Sequence, residues 1–307
     1  MPSRSKPTGL QSRPDAVAAI SVAVAGMQQP APLSASGFEA IAKFLRRHAG
    51  IELNQDKHSL VQSRLRKHVV AGGFNSYDRY VEHTLKVQGS ALITLIDALT
   101  TNKTAFFREA DHFRFLESDW LPDACERTGL SRPLRIWSAG CSAGHEPYTL
   151  SMVLNEAASR TPGLRFEILA TDLCTTVLRT AAAGIYSQVD VAPVPDDLRR
   201  KYLLRARDAE DTRVAMGPEL RAAVTFKRFN LVSDPYAFEA PFDLIMCRNV
   251  MIYFSNATRE AVISRMHDVM APGAHLIVGH SESFSGIRTP LRYVAPTIYQ
   301  RPLENPS

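Results

Sequence analysis

"LRIWSAGCSAGHEPYTL", residues 134–150, sets the fold. Six residues of strand character, Leu134–Ala139, run into a turn with Gly140 and Gly144, and a helical pattern continues through Leu150–Ala158. The unit then recurs. "RFEILATD" (165–172) reads as a second strand with a helix after it that ends near Gly184. "AVTFKRFN" (223–230) is a third strand and "FDLIMC" (242–247) a fourth. "TREAVISRMHDVMAPG" (258–273) reads as helix, "HLIVGHSE" (275–282) as a fifth strand, and "RYVAPTIYQR" (292–301) as a closing extended pair. Strands alternating with helices predict a mostly parallel sheet covered on both faces. Residues 186–222 break the alternation with Pro193, Pro195, a charged run from Arg205 to Arg213 and Gly217-Pro218, which predicts a small inserted antiparallel excursion.

Upstream the period changes. Residues 34–101 read as a helical bundle. Ser36-x-x-Glu39 is a capping-box pattern, Phe38, Ile41, Ala42 and Leu45 come next at helical spacing, and Gly50 stops the run. A second helix carries Leu60, Val61, Leu65 and Val69; a third Tyr77, Tyr80, Val81 and Leu85; a fourth Leu92, Ile93, Leu95, Ile96 and Leu99. The second is basic, with Lys57, Arg64, Arg66 and Lys67, a cluster suited to an acidic partner. Residues 102–131 read as an aromatic-rich linker. Residues 1–33, rich in Pro, Ser, Ala and Gln, read as a disordered tail, and residues 132–307 form the sheet domain.

Composition narrows the class. A chain of 307 residues exceeds the usual single core, so two domains are expected. No window offers the roughly 18 consecutive apolar residues of a membrane helix. The stretch "DAVAAISVAVAGM" (15–27) is too Ala-rich for a secretory signal. Cys125, Cys141, Cys174 and Cys247 form no C-x-x-C pair, which suits a reducing cytoplasm and offers no zinc site. His145-Glu146 starts an H-E-x-x-H pattern, but position 149 is Thr, so no metal is implied.

In an open α/β sheet, ligands bind beyond the carboxyl ends of the strands. The residues found there are Gly140 to Pro147, Asp172, Asn230-Leu231, Arg248-Asn249 and His280-Ser281-Glu282. The Gly-rich turn lets a ligand approach backbone N–H groups, and an acidic residue closing the second strand can accept from ribose hydroxyls. Each has a plainer reading: a tight turn, and a helix N-cap at Asp172. "GCSAG" also matches the nucleophile elbow of serine hydrolases, with Ser142, Asp243 and His280 in permitted order, although no oxyanion segment precedes it.

Six ordered stretches carry a resemblance: "LTTNKTAFFRE" (99–109), "WSAGCSAGHEPYTLSM" (137–152), "ATDL" (170–173), "FNL" (229–231), "FDLIMCRNVMIYF" (242–254) and "GHSESF" (279–284). In these the chain resembles the CheR family, the chemotaxis receptor methyltransferases. The resemblance implies a Rossmann-like class I methyltransferase sheet with an N-terminal all-α domain and a small inserted β-subdomain. It implies methyl transfer from S-adenosylmethionine, leaving S-adenosylhomocysteine, to glutamates of chemoreceptors. The partners implied are acidic methylation helices and, in some members, a receptor's C-terminal tail taken up by strand addition; a cytoplasmic monomer without nucleic acid is expected. Asn102, Thr104 and Arg108 would contact the cofactor or shape the transfer site, Glu146 would hold the methionyl part, and Asp172 the ribose. Asn230 and Leu231 would border the adenine, Arg248 and Asn249 line the floor, and Tyr253 sit beside the methyl. Arg108 and Tyr253 would be the catalytic pair, and the resemblance leaves open whether Arg108 holds the substrate's or the cofactor's carboxylate. Where the family usually reads Glu-Glu-Pro-Tyr, this chain has His145-Glu146-Pro147-Tyr148, and His145 either tunes local charge or faces solvent. A nucleic-acid methyltransferase would need base-stacking aromatics that the basic helix lacks, and a non-catalytic relative would have lost Arg108, Asp172, Asn249 and Tyr253.

Overall fold

A computed structural model describes residues 29–87, 90–100, 102–206, 208 and 210–303. The expected disordered tail falls outside the described residues up to position 28; beyond it, Ala31 bridges to Ser76 and Leu33 is buried, so these residues belong to the helical domain. That domain comprises α1 (Ala35–Ala49), α2 (His58–Ala71), α3 (Tyr77–Val87) and α4 (Ser90–Leu99). Helix α1 starts two residues before the predicted capping box would place it. Its N-cap is Ser34, whose hydroxyl accepts from Gly37 N–H at 3.0 Å. Phe38, Ile41, Ala42 and Leu45 are buried as their spacing requires, with Val61, Leu65 and Val69 of α2 against them. Leu60, expected in that core, is 43% exposed and faces a cavity between the domains.

The sheet domain has strands β1 (Leu134–Ala139), β2 (Phe166–Asp172), β6 (Val224–Arg228), β7 (Phe242–Cys247) and β8 (Met270–Val278), all parallel, and the antiparallel hairpin β9 (Arg292–Ala295) and β10 (Ile298–Gln300). Their order is β6-β2-β1-β7-β8-β10-β9. The chain reverses direction of build between β1 and β7, which is the switch point where such sheets bind ligands. Every residue of β7 is buried, as expected of a central parallel strand. Its one charge, Asp243, is held by the Arg132 fork at 2.7 and 2.7 Å and by Arg135 N–H at 2.9 Å. The excursion is the antiparallel sheet β3 (Ile185–Tyr186), β5 (Val214–Met216), β4 (Leu203–Arg205), in that spatial order, with short helices at Asp196–Tyr202 and Pro218–Ala222.

Two sequence readings change. The linker is mostly helical: Ala110–Phe115 (α5) passes through a wide turn, Leu116–Trp120, into Leu121–Thr128 (α6), and Phe113, Leu116 and Trp120 join the main core. The helix read to Gly273 ends at Asp268; Met270 pairs with Phe242 and starts β8, and the chain leaves that strand before Gly279–Glu282, which form a turn.

Helix α7 (His145–Arg160) connects β1 to β2, and α8 (Thr175–Ala183) leaves β2. Among the described residues, hydrogen bonds tie the two domains at these points. Asp97 of α4 accepts from Thr175 and Thr176 N–H at 3.2 and 3.1 Å, capping α8 of the sheet domain. Asn230 Nδ2 donates to His48 carbonyl at 2.6 Å. Glu52 N–H donates to Tyr253 carbonyl at 2.9 Å, beside an Ile51–Phe254 bridge. Gly50 makes this approach possible: its φ is +69°, and a Cβ there would lie 2.7 Å from Val232 Cγ2.

On β8, the His275 ring is buried 5.6 Å from the Phe115 ring. Burial, reinforced by Arg127 and Arg292 against Asp123, lowers its pKa from 6.5 to about 4. On acidification the unfolded chain therefore takes up this proton first. The contribution is whole above pH 6.5 and is lost as pH falls towards 4, an effect of about 3 kcal/mol. Urea unfolding of the wild type and His275→Leu at pH 7 and pH 4 should show a smaller acid loss in the variant; equal losses would refute this assignment.

Candidate functional site

The turn after β1 is wound tightly: Gly140, Ser142 and Gly144 have φ of +85°, +50° and +89°. Gly140 and Cys141 N–H fasten it to Thr171 carbonyl at 2.7 and 2.8 Å. Asp172, ending β2, accepts from Ser142 N–H and Cys174 N–H, both at 2.8 Å. It is not the N-cap of α8, as the plainer reading had it: that position is Cys174, which Asp172 only holds through its N–H, and the Asp172 carboxylate lines a cavity. Burial raises its pKa against the pull of those amides.

The cavity lies at the switch point, between the sheet edge and the helical domain. Every site residue that the resemblance implied lines it, Asn102, Thr104, Arg108, Glu146, Asp172, Asn230, Leu231, Arg248, Asn249 and Tyr253, whereas His280, Ser281 and Glu282, read at the end of the fifth strand, do not. The helical domain supplies a wall that the sequence reading missed, including Ile51, Leu53, Leu60 and Arg64. Arg64, grouped with an outward basic face, instead donates to Leu99 and Thr100 carbonyls at 2.7 and 3.1 Å.

Arg248 is the centre of the floor. Its side chain is 2% exposed and reaches Glu146 at 3.2 Å, Glu109 at 3.0 Å and the Arg108 carbonyl. Ser138 Oγ donates to the other Glu146 oxygen at 2.7 Å. Burial raises the Glu146 pKa against Arg248, whereas at Glu109 the burial effect is outweighed by Arg248 and the pKa falls. Asn249 has φ +59°, and its amide side chain reaches Glu109 at 3.3 Å. Glu282 pins the same turn, accepting from Asn249, Gly279 and Ile252 N–H at 2.6, 2.7 and 3.1 Å. Sequence reasoning gave Glu109 no role and placed Glu282 only at the ligand edge; both lie inside the quoted stretches, but their partners are remote in sequence.

Tyr253 ends the single 3₁₀ turn Met251–Tyr253, so "VMIYF" does leave the strand and fold back. Arg108, 39% exposed at its side chain, hydrogen-bonds Lys103 carbonyl at 3.0 Å. It stands between Phe107 and Glu109, both in the left-handed region at φ +52° and +56°. Such strain, on the order of 1–3 kcal/mol per residue, is a mark of functional segments. Asn102 bonds Thr100 Oγ1 at 3.2 Å, and its carbonyl accepts from Ser142 Oγ at 3.1 Å. The Asn230 amide is engaged by His48 carbonyl and Val232 N–H, so it borders the cavity as a tie between domains.

The hydrolase reading fails. Ser142 Oγ bonds a backbone carbonyl, Asp243 lies at the opposite end of its strand on Arg132, and His280 pairs with Asp111 at 2.9 Å. His145 does not face solvent; it packs against Phe106 and Tyr186 at 4.6 and 5.0 Å between ring centroids, and burial lowers its pKa.

The cavity suits a cationic nucleoside ligand. Phe113, Phe229, Leu231 and Phe254 give it apolar walls, and Asp172 and Glu146 give it carboxylates with unused lone pairs. Sheet order, acidic β2 terminus and cavity together are those of a Rossmann-like domain that binds a nucleoside cofactor. Family models agree: "CheR methyltransferase, SAM binding domain" matches residues 102–299 and "CheR methyltransferase, all-alpha domain" residues 36–100. The chain belongs to the CheR methyltransferase family. It is 37% identical over 265 residues to the chemotaxis protein methyltransferase of Borreliella burgdorferi, covering 85% of this chain and 92% of that one. It is 36% identical over 274 residues to that of Salmonella typhimurium, covering 89% and 92%. Among solved structures, the glycopeptide N-methyltransferase MtfA aligns over 51% of this chain and 54% of its own at 14% identity, with a TM-score of 0.29.

Proposed function

We propose that this protein methylates glutamate side chains of chemoreceptors, giving glutamyl methyl esters. The observation that carries the reading is the make-up of the cavity: Arg108 and Tyr253 line it, and no described histidine does. A glutamate has a reference pKa of about 4.3 and arrives ionised, so it needs orientation and desolvation rather than a base. The bound cofactor supplies an electrophilic methyl on a sulfonium. Asp172 would hold its ribose, Glu146 its methionyl end, and Leu231 with Asn230 its adenine. Arg108, half-open to solvent, is suited to the incoming carboxylate, which a guanidinium fork holds in fixed geometry. The Tyr253 hydroxyl would orient the attacking oxygen.

Partner docking fits the same reading. Arg66 and Lys67 remain exposed on α2, and an acidic helix would meet them there. Strand β4 is an edge of the small sheet, open to strand addition by a receptor tail. No described helix is long and apolar enough to cross a membrane, and all four cysteines are free thiols. The test is incubation with methyl-labelled S-adenosylmethionine, chemoreceptor and RNA. Base-labile label on the receptor is expected; label on RNA, or none despite cofactor binding, would overturn the proposal.

A further inference from the structure

Glu109, His112 and His280 bring one carboxylate oxygen and two ring nitrogens within 4.8 Å of one another. Sequence spacing showed nothing of this, because the first two sit at the start of α5 and the third lies beyond β8.

His112 is the telling member. Its side chain is 1% exposed, and its Nε2 lies 2.9 Å from Thr297 Oγ1. The Thr297 hydroxyl donates to Pro296 carbonyl at 2.6 Å, so its oxygen accepts and His112 carries its proton on Nε2. Nδ1 is then a bare lone pair. It has no hydrogen-bond partner among the described residues and lies 3.5 Å from Glu109 Oε2. A lone pair facing a carboxylate is repulsive. The arrangement is complete only with a positive or donating species between the two atoms.

We infer that Glu109, His112 and His280 form a binding site for a divalent transition-metal ion of the zinc type. Zinc bonds of ~2.0–2.1 Å place tetrahedral ligand atoms ~3.3 Å apart, close to the 3.5 Å found between Glu109 and His112. Imidazole ligands select zinc, cobalt or nickel over magnesium or calcium. His280 Nε2 sits 2.9 Å from Asp111 Oδ2, the carboxylate–histidine pairing that orients metal-bound imidazoles. The side chains of His280 and Asp111 are 50% and 51% exposed, giving the ion an entry path. Glu109 Oε2 also accepts from Arg248 at 3.0 Å and from the His280 amide at 3.3 Å. The ion would replace the longer of these, and Asp111 and Glu146 add negative charge to offset Arg248 and Arg108, whose Nε lies 3.8 Å from the other Glu109 oxygen. The site would adjoin the cofactor floor, one side chain from Glu146 through Arg248.

The test is titration of the tag-free full chain with Co²⁺, monitored by visible absorption, with Zn²⁺ as competitor. Stoichiometric binding is expected, weakened at least ~10-fold by His280→Ala and by His112→Gln. His280 is exposed, so His280→Ala keeps the test meaningful if the buried replacement fails to fold. Absence of binding at ~100 µM ion, or equal affinity in wild type and His280→Ala, overturns the inference and leaves water as the bridge between Nδ1 and Glu109.

Discussion

Replacing Arg248 by methionine should destabilise the fold by about 3–5 kcal/mol, the usual consequence of removing one partner from a buried ion pair. The guanidinium is enclosed, and its loss leaves Glu146 without a counter-charge and Glu109, 12% exposed, with only the longer Arg108 contact at 3.8 Å. The Arg108 carbonyl loses its donor at the same time. Denaturant unfolding at neutral pH measures the loss. Adding Glu109→Gln should recover part of it, because one of the stranded charges is then gone. A deficit below ~1 kcal/mol would show that the floor reorganises without its arginine, a result at odds with the network drawn from the structure.

Arg108→Ala should act in the opposite way, on rate and hardly on stability. The side chain is partly solvated, hydrogen-bonds one backbone carbonyl and makes a long 3.8 Å ion pair with Glu109, so unfolding should shift by no more than about 1 kcal/mol. Methyl transfer should fall ~10²–10³-fold, the range lost when a positioned charged donor is removed from a reacting group. Arg108→Lys should recover only a fraction, since an ammonium lacks the planar fork. Single-turnover methylation with saturating cofactor separates the step from binding. Wild-type rates in Arg108→Ala would remove this residue from the mechanism.

The lining of the cavity was legible because parallel strands end on one edge. The residues at and just beyond the ends of β1, β2, β6 and β7 already include Asp172, Asn230, Arg248 and Asn249. What those residues hold was not legible. Arg248 meets Glu146 and Glu109 across 102 and 139 residues of sequence, and no local pattern records such a pairing. Boundaries failed for physical reasons. "VMAPG" carries the tail of an apolar helical stripe, yet pairing of Met270 with Phe242 draws it into the sheet. Ser34 outcompeted Ser36 as the cap because its backbone is extended, with ψ 165°. Leu60 has helix-core spacing, but its neighbour is a cavity rather than another helix.

The joint between the domains sorts the surface into exchangeable and fixed parts. Asp97, the His48 carbonyl and the Glu52 amide each satisfy a polar group of the other domain. Cutting the chain at residue 101 would leave α8 uncapped and the turn bearing Tyr253 unsupported. A chimera meant to redirect the enzyme to another protein substrate must therefore preserve these inward contacts of α1 and α4. Its freedom lies on the outer face of α2, where Arg66 and Lys67 can be rewritten without touching the cofactor floor.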